Sequence, residues 1–356
     1  MLKANYPTSP GRALLLVITL TFLILTGCGQ KEAQKDNSNA VPTPDSTSIS
    51  TLNQMIRENP TNSELFSRRA KIYASRKNYA QALNDQTIAL SLDSAKPEYY
   101  INQAEYFIME GQPNSAKKAL NACLTRMPGN TDVMLKLAEI HLYLQEYGLA
   151  KIVLKDVATL DNNLAQMFFL QGLISLETVD TAGAIRNFQM AIDKEPDFYA
   201  AYIQAGKLFL AKHDDLAIHY FQSAIDLEPV SYEARYLLGL YYQDHGYLDE
   251  AHQQYEFIIQ TIDSTQAPPY FNRGYIEMVY KGDYEKAIEW FSLAIERDPL
   301  YTEAWYNRGF SHELNGDLRK AREDYQQAME LSPNFPLAIK GLNRIDDKKP
   351  LTSDQL

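Results

Sequence analysis

Covalent ties and chain breakers are scarce in this sequence. Its 356 residues include two cysteines, Cys28 and Cys123, so a disulfide scaffold is excluded and the folded body must hold by packing. Glycine and proline number 16 each, too few for a low-complexity chain. Lysine and arginine form no cluster, and the formal charge is −11. Nucleic-acid backbones are bound by clustered cations, so nucleic acid is not expected as a partner. No apolar run reaches the roughly 20 residues of a spanning helix. The longest, residues 13–26, "ALLLVITLTFLILT", has 14.

Catalytic signatures are missing too. No H-E-x-x-H pair, glycine-rich phosphate loop or G-x-S-x-G occurs. The six histidines are scattered. His245 and His252 straddle a turn at Gly246, and solvent-facing histidines are expected rather than a metal site. Cys123 stands at a small-residue site, which predicts a buried, inert thiol. The carboxylates are scattered, with "HDD" at 213–215 and "DKEP" at 193–196 at turns and helix ends, without the shared pocket that paired acid and base work needs. No enzyme activity, cofactor or metal is expected.

What is present begins at the N-terminus. Lys3 and Arg12 precede the apolar run, which fits the core of an export signal. The run leads into "LTGC", residues 25–28. This resembles the lipobox of bacterial lipoproteins. The resemblance implies cleavage after residue 27 and acylation of Cys28, so that several acyl chains hold the protein on a membrane. Loss of residues 1–27 would take the charge from −11 to −13. Gly29, rather than Asp, follows the cysteine and leans toward the outer membrane, facing the periplasm. Residues 28–48 are polar, contain two prolines and read as a flexible tether.

The remainder is periodic. "FNRGY" at 271–275 returns as "YNRGF" at 306–310, and the phrases that follow end at Pro299 and Pro333. Steps of about 34 residues give Ala82, Ala116, Ala150, Ala184, Ala217, Ala251, Ala287 and Ala321. A second series is all Ala or Gly: Ala70, Ala104, Ala138, Gly172, Gly206, Gly239, Gly274 and Gly309. A third, Gln86, Leu120, Leu154, Phe188, Phe221, Tyr255, Phe291 and Tyr325, is bulky in seven of eight. A fourth closes each unit with Ser94, Pro128, Asn162, Pro196, Pro229, Asp263, Pro299 or Pro333. Apolar spacings of three and four within each unit predict two helices. The small residues let their backbones approach, and the bulky residue fills the space beside them. One such pair cannot bury its own faces; stacked pairs can.

This pattern resembles the tetratricopeptide repeat. Residues 302–333 carry its signature most fully, in Trp305, Gly309, Gly316, Ala321, Tyr325, Ala328 and Pro333. The resemblance covers residues 61–333 as eight units. It implies an all-α fold, a right-handed superhelical α-solenoid of about eight helix pairs enclosing a concave channel. Residues 49–60 read as an N-terminal capping helix, 334–347 as a C-terminal one, and 348–356 as a frayed tail. The unit ending at Pro229 is one residue short. The unit ending at Pro299 has one extra before Gly282 and another at its lead-in, "QAPPY".

In such an array the first helices line the concave face. Tyr236, Phe271, Tyr275, Tyr306 and Phe310 are expected to face it, with Asn272, Asn307 and Asn102 beside them, as a peptide-binding groove. Packing of the same rings between neighbouring repeats is the other reading. Cations on the inner faces, Arg68, Lys71, Lys136 and Lys207, are dispersed through the other half, so no carboxylate clamp is expected in the aromatic half. Four Asp-Ser/Thr phrases, at 45–47, 93–95, 180–182 and 263–265, are similar to an O-glycosylation signal of one bacterial phylum and equally suit turn chemistry. The expected function is a lipid-anchored, non-enzymatic adaptor that binds proteins or peptides of the bacterial cell envelope, in protein assembly, secretion or wall-enzyme control. A ligand-capturing lipoprotein for glycans or nutrients is the alternative.

Overall fold

The computed structural model describes residues 48–347. The expected export signal, the lipidated Cys28, nearly all of the tether and the tail lie outside them. The described residues are all-α and form α1 Ile49–Glu58, α2 Ser63–Ser75, α3 Tyr79–Leu92, α4 Pro97–Met109, α5 Pro113–Arg126, α6 Thr131–Tyr143, α7 Tyr147–Leu160, α8 Ala165–Glu177 and α9 Thr181–Lys194. There follow α10 Tyr199–Ala211, α11 Leu216–Leu227, α12 Tyr232–Asp244, α13 Leu248–Phe257, α14 Ala267–Tyr275, α15 Tyr284–Arg297, α16 Thr302–Leu314, α17 Leu318–Leu331 and α18 Pro336–Asp346. None of them is long and apolar enough to cross a membrane. The chain divides into two compact units after Pro196.

Residues 48–196 stack four helix pairs behind α1. Ser48 Oγ accepts from the Thr51 N–H at the start of α1, and Leu52 is fully buried. Arg69 on α2 forks onto Asp85 of α3 through two 2.7 Å bonds and reaches Asn53 of α1 at 2.6 Å. Residues 197–347 stack the other four pairs and close with α18. Arg308 of α16 repeats the fork on Asp324 of α17, at 2.8 and 2.7 Å. Arg344 of α18 forks onto Glu313 of α16, which also accepts from the Tyr325 hydroxyl.

Within the five glycine-bearing pairs the second-series residue meets the third-series ring. All eight alanines of the first series are fully buried. A Cβ on Gly206 would lie 2.5 Å from Phe221, and one on Gly172 would lie 2.5 Å from Phe188. Gly239, Gly274 and Gly309 oppose Tyr255, Phe291 and Tyr325 in the same way. Where the small residue is Ala instead, at 70, 104 and 138, its partner is no ring but Gln86, Leu120 or Leu154. Volume on one helix is matched by its absence on the other. Gly341 of α18 adds a second glycine against Tyr325, at 2.5 Å.

The turn between paired helices always passes through one residue at positive φ: Lys77, Gly111, Gln145, Val179, His213, Gly246, Gly282 or Gly316. The next N–H then reaches back to the carbonyl five residues earlier, as Asn78 does to Tyr73. In the seventh pair Asp283 reaches six residues back, to Glu277, because the helix ends in a wider π-turn, Ile276–Lys281. The other extra residue is not at "QAPPY". It widens the end of α13 into a π-turn, Ile258–Ile262, where Asp263 N–H bonds Ile258 rather than the carbonyl four back. The link from Asp263 to Ala267 then matches that from Asp298 to Thr302.

Candidate functional site

The site expected from the sequence lies within residues 197–347. Tyr236, Phe271 and Tyr306 each occupy the fifth place of a first helix, on α12, α14 and α16. Phe271, Tyr275 and Phe310 are covered, at 3, 9 and 4% exposure. Phe271 lies 4.9 Å from Tyr301 and 5.4 Å from Phe291, ring centre to ring centre. Tyr306 is partly exposed, with Phe310, Tyr325 and Phe335 around it at 6.1, 5.7 and 5.6 Å.

Two of the roofing rings follow one rule. Tyr301 and Phe335 each stand just before a first helix, in Pro-x-aromatic phrases at 299–301 and 333–335. Each covers the fifth-place ring of the preceding repeat. Before α14 the corresponding residue is Gln266, whose amide turns back to Asp263 at 2.8 Å. Tyr236 therefore has no ring roof from that place; like the roofed Tyr306, it is partly exposed. Tyr232 stacks on it at 5.6 Å.

Asn272 is fully buried. Its Nδ2 donates to the Tyr236 hydroxyl at 3.1 Å, while its Oδ1 has no partner. Burial pushes the Tyr236 phenol up to about 12. Asn307 is partly exposed and donates to the Glu303 carbonyl of its own helix at 2.9 Å. Tyr232 and Tyr301 were not among the expected residues. The recurring Pro-x-aromatic phrase was the signal for Tyr301; Tyr232 had none beyond its lead position on α12.

Several expectations about single residues are settled by geometry. The histidines do not all face solvent. His141 and His312 are 9 and 7% exposed, because His141 is drawn to Glu146 and His312 packs near Asp324. His252 sits 3.3 Å from Glu277, which also binds Lys281. Among the described residues no group of three or more possible ligands could hold a metal ion. Cys123 is fully buried, and burial pushes its thiol up. On the inner faces, Lys71, Lys136 and Lys207 lie on Glu98, Glu105 and Glu233. Asp93, Asp180 and Asp263 accept from nearby main-chain N–H groups, as turn and cap residues do.

Family models place the repeat directly. Models described as tetratricopeptide repeat match residues 215–260 and 302–335, and one described as TPR repeat matches 277–316. The chain belongs to the tetratricopeptide-repeat family. An uncharacterized protein of Methanocaldococcus jannaschii is 35% identical over 83 residues, covering 23% of this chain and 93% of that one. The photosystem I assembly protein Ycf3 of Cyanophora paradoxa is 39% identical over 67 residues, 17% of this chain and 38% of its own length. Among solved structures, the C-terminal part of a TPR repeat-containing protein from Cytophaga hutchinsonii aligns with a TM-score of 0.57 at 20% identity, over 68% of this chain and 99% of that one. The APC/C hetero-tetramer Cut9–Hcn1 aligns at 0.50 and 16% identity, over 83% of this chain and 58% of that one. These likenesses are of fold. A tetratricopeptide array supports a scaffold or adaptor that binds proteins.

Proposed function

We propose that this tetratricopeptide protein is a non-enzymatic adaptor. It binds proteins or peptides along its first helices while acyl chains on Cys28 hold it to a bacterial envelope membrane, on the periplasmic side of the outer membrane. The observation that carries the reading is an array without inserted segments. Each departure from the period is a single residue, absorbed in a turn or a π-turn. Catalytic sites in a repeat fold need extra structure to build a pocket; partner binding needs only a continuous face. On first helices, Tyr236, Tyr306 and Asn307 remain partly exposed within residues 197–347, and Asn102 does within residues 48–196.

The test is site-specific photo-crosslinking in cells. A crosslinking residue at position 102 or 307 is expected to capture a defined partner, and one at exposed Ile152 or Glu296, on second helices, is not. Equal capture at all four would refute the first-helix reading. Cys28→Ser is expected to lose its lipid in acyl labelling and to leave the membrane fraction. Retention there would refute the anchor.

A further inference from the structure

The uncovered tyrosines carry more than a place for a peptide. Tyr232 and Tyr236 stack at 5.6 Å, and both are partly exposed. Tyr301 is also partly exposed and lies 4.9 Å from Phe271, the chain neighbour of the Asn272 that bonds the Tyr236 hydroxyl; burial, and then the phenols of Tyr236 and Tyr232, raise its own. Glu303 and Asp298 push the Tyr301 phenol further up, and Asp263 does so at Tyr232. Exposed Asp298 and Glu303 stand within three residues of Tyr301, so carboxylates border these π-faces. Cations on adjoining elements are already engaged. Lys207 binds Glu233 at 2.7 Å, and Arg297 bonds the Ser264 carbonyl at 3.2 Å while lying over Tyr270.

The set offers π-faces and carboxylates, and its phenols can accept as well as donate. A ligand that only donates and carries positive charge suits such a set, because the ring quadrupole and the carboxylates both attract it. We propose that Tyr232, Tyr236 and Tyr301, with Asp298 and Glu303 flanking Tyr301, seat the Lys or Arg side chain of a basic segment in the protein partner. This rests on the adaptor reading and names the chemistry of what the adaptor holds. A carboxylate-bearing tail is disfavoured at the same place by the same charges.

The test is fluorescence anisotropy on the full chain with two labelled octapeptides. One has a central Lys among Gly and Ser; the other has norleucine in its place. In 0.3 M salt, which screens diffuse attraction, the Lys peptide is expected to bind about tenfold more tightly. Tyr301→Phe keeps the ring and is expected to keep that preference. Tyr232→Leu with Tyr301→Leu is expected to abolish it. Asp298→Asn with Glu303→Gln changes only exposed side chains and is expected to weaken it without altering the helical signal or Tm. Equal affinity for the two probes, or none for either, would overturn the cation seat. So would a Lys preference that survives loss of the rings, since it would then be diffuse attraction. The adaptor reading is judged separately, by crosslinks at positions 102 and 307, which need no cation.

Discussion

Phe221 fills the space that Gly206 leaves so closely that a methyl group there would sit 2.5 Å from the ring. Gly206→Ala is therefore expected to cost about 1–3 kcal/mol in urea unfolding, despite alanine's better helix propensity. Adding Phe221→Leu should recover part of that loss, because the pair then matches Ala104 and Leu120. A double-mutant cycle measures the coupling, and simple additivity would refute the fit. At the buried fork, Arg308→Ala strands the Asp324 carboxylate, which is 5% exposed. The expected loss is about 3–5 kcal/mol. Arg308→Lys should fall well short of rescue, since an ammonium cannot bond both oxygens at once. The four repeat series were legible residue by residue. The forks carry a sequence signal as well: Arg directly before the small residue and Asp three after the alanine stand together in the first and last pairs. The ring stripe did not show which rings were free. A roof comes from about 30 residues downstream, as Tyr301 does for Phe271, and helical spacing within one element says nothing about it.

Each helix pair turns through one left-handed residue, and half of the eight positions lack glycine. Val179 is the least suited. It is β-branched, has φ of 61° and is 87% exposed. Val179→Gly removes strain and gives up no packing, so it should stabilise by about 1 kcal/mol. A higher Tm checks this, and a lower one would refute the strain. The same scale explains the misplaced insertion. A shift in period reveals that a residue has been added, but the backbone absorbs it where a hydrogen-bond ring can widen. At the end of α13 a π-turn takes it up and keeps the following link at its usual length. Proline marks loops, which points to "QAPPY", yet Pro268 and Pro269 fall in the first turn of α14, where proline is tolerated.

For the whole molecule, acid should act in two stages. Burial holds the imidazoles of His252 and His312 below the ordinary value of 6.5. The unfolded chain takes up those protons more readily, so stability falls as pH drops below about 6.5. Glu64 and Glu146 are held below the ordinary 4.5, chiefly by hydrogen bonds from Lys96 and Lys117, and their contribution is lost only as pH falls below about that value. Tm should therefore decline from pH 7.5 to 5.5. His252→Gln with His312→Gln should flatten that slope, whatever it does to Tm at pH 7.5. An unchanged slope would assign the decline to other groups.

The glycine-to-ring match also bears on how such a chain can grow. Gly206 and Phe221, like Gly239 and Tyr255, belong to the same repeat. A genetic duplication of one repeat therefore copies both halves of the fit together, and the new copy arrives already packed against itself. Crossing over inside a repeat would part them, joining a ring to an alanine or a glycine to a leucine. Recombination is thus tolerated at the links between repeats and penalised within them. The lineage of the array can be read from which ring travels with which glycine.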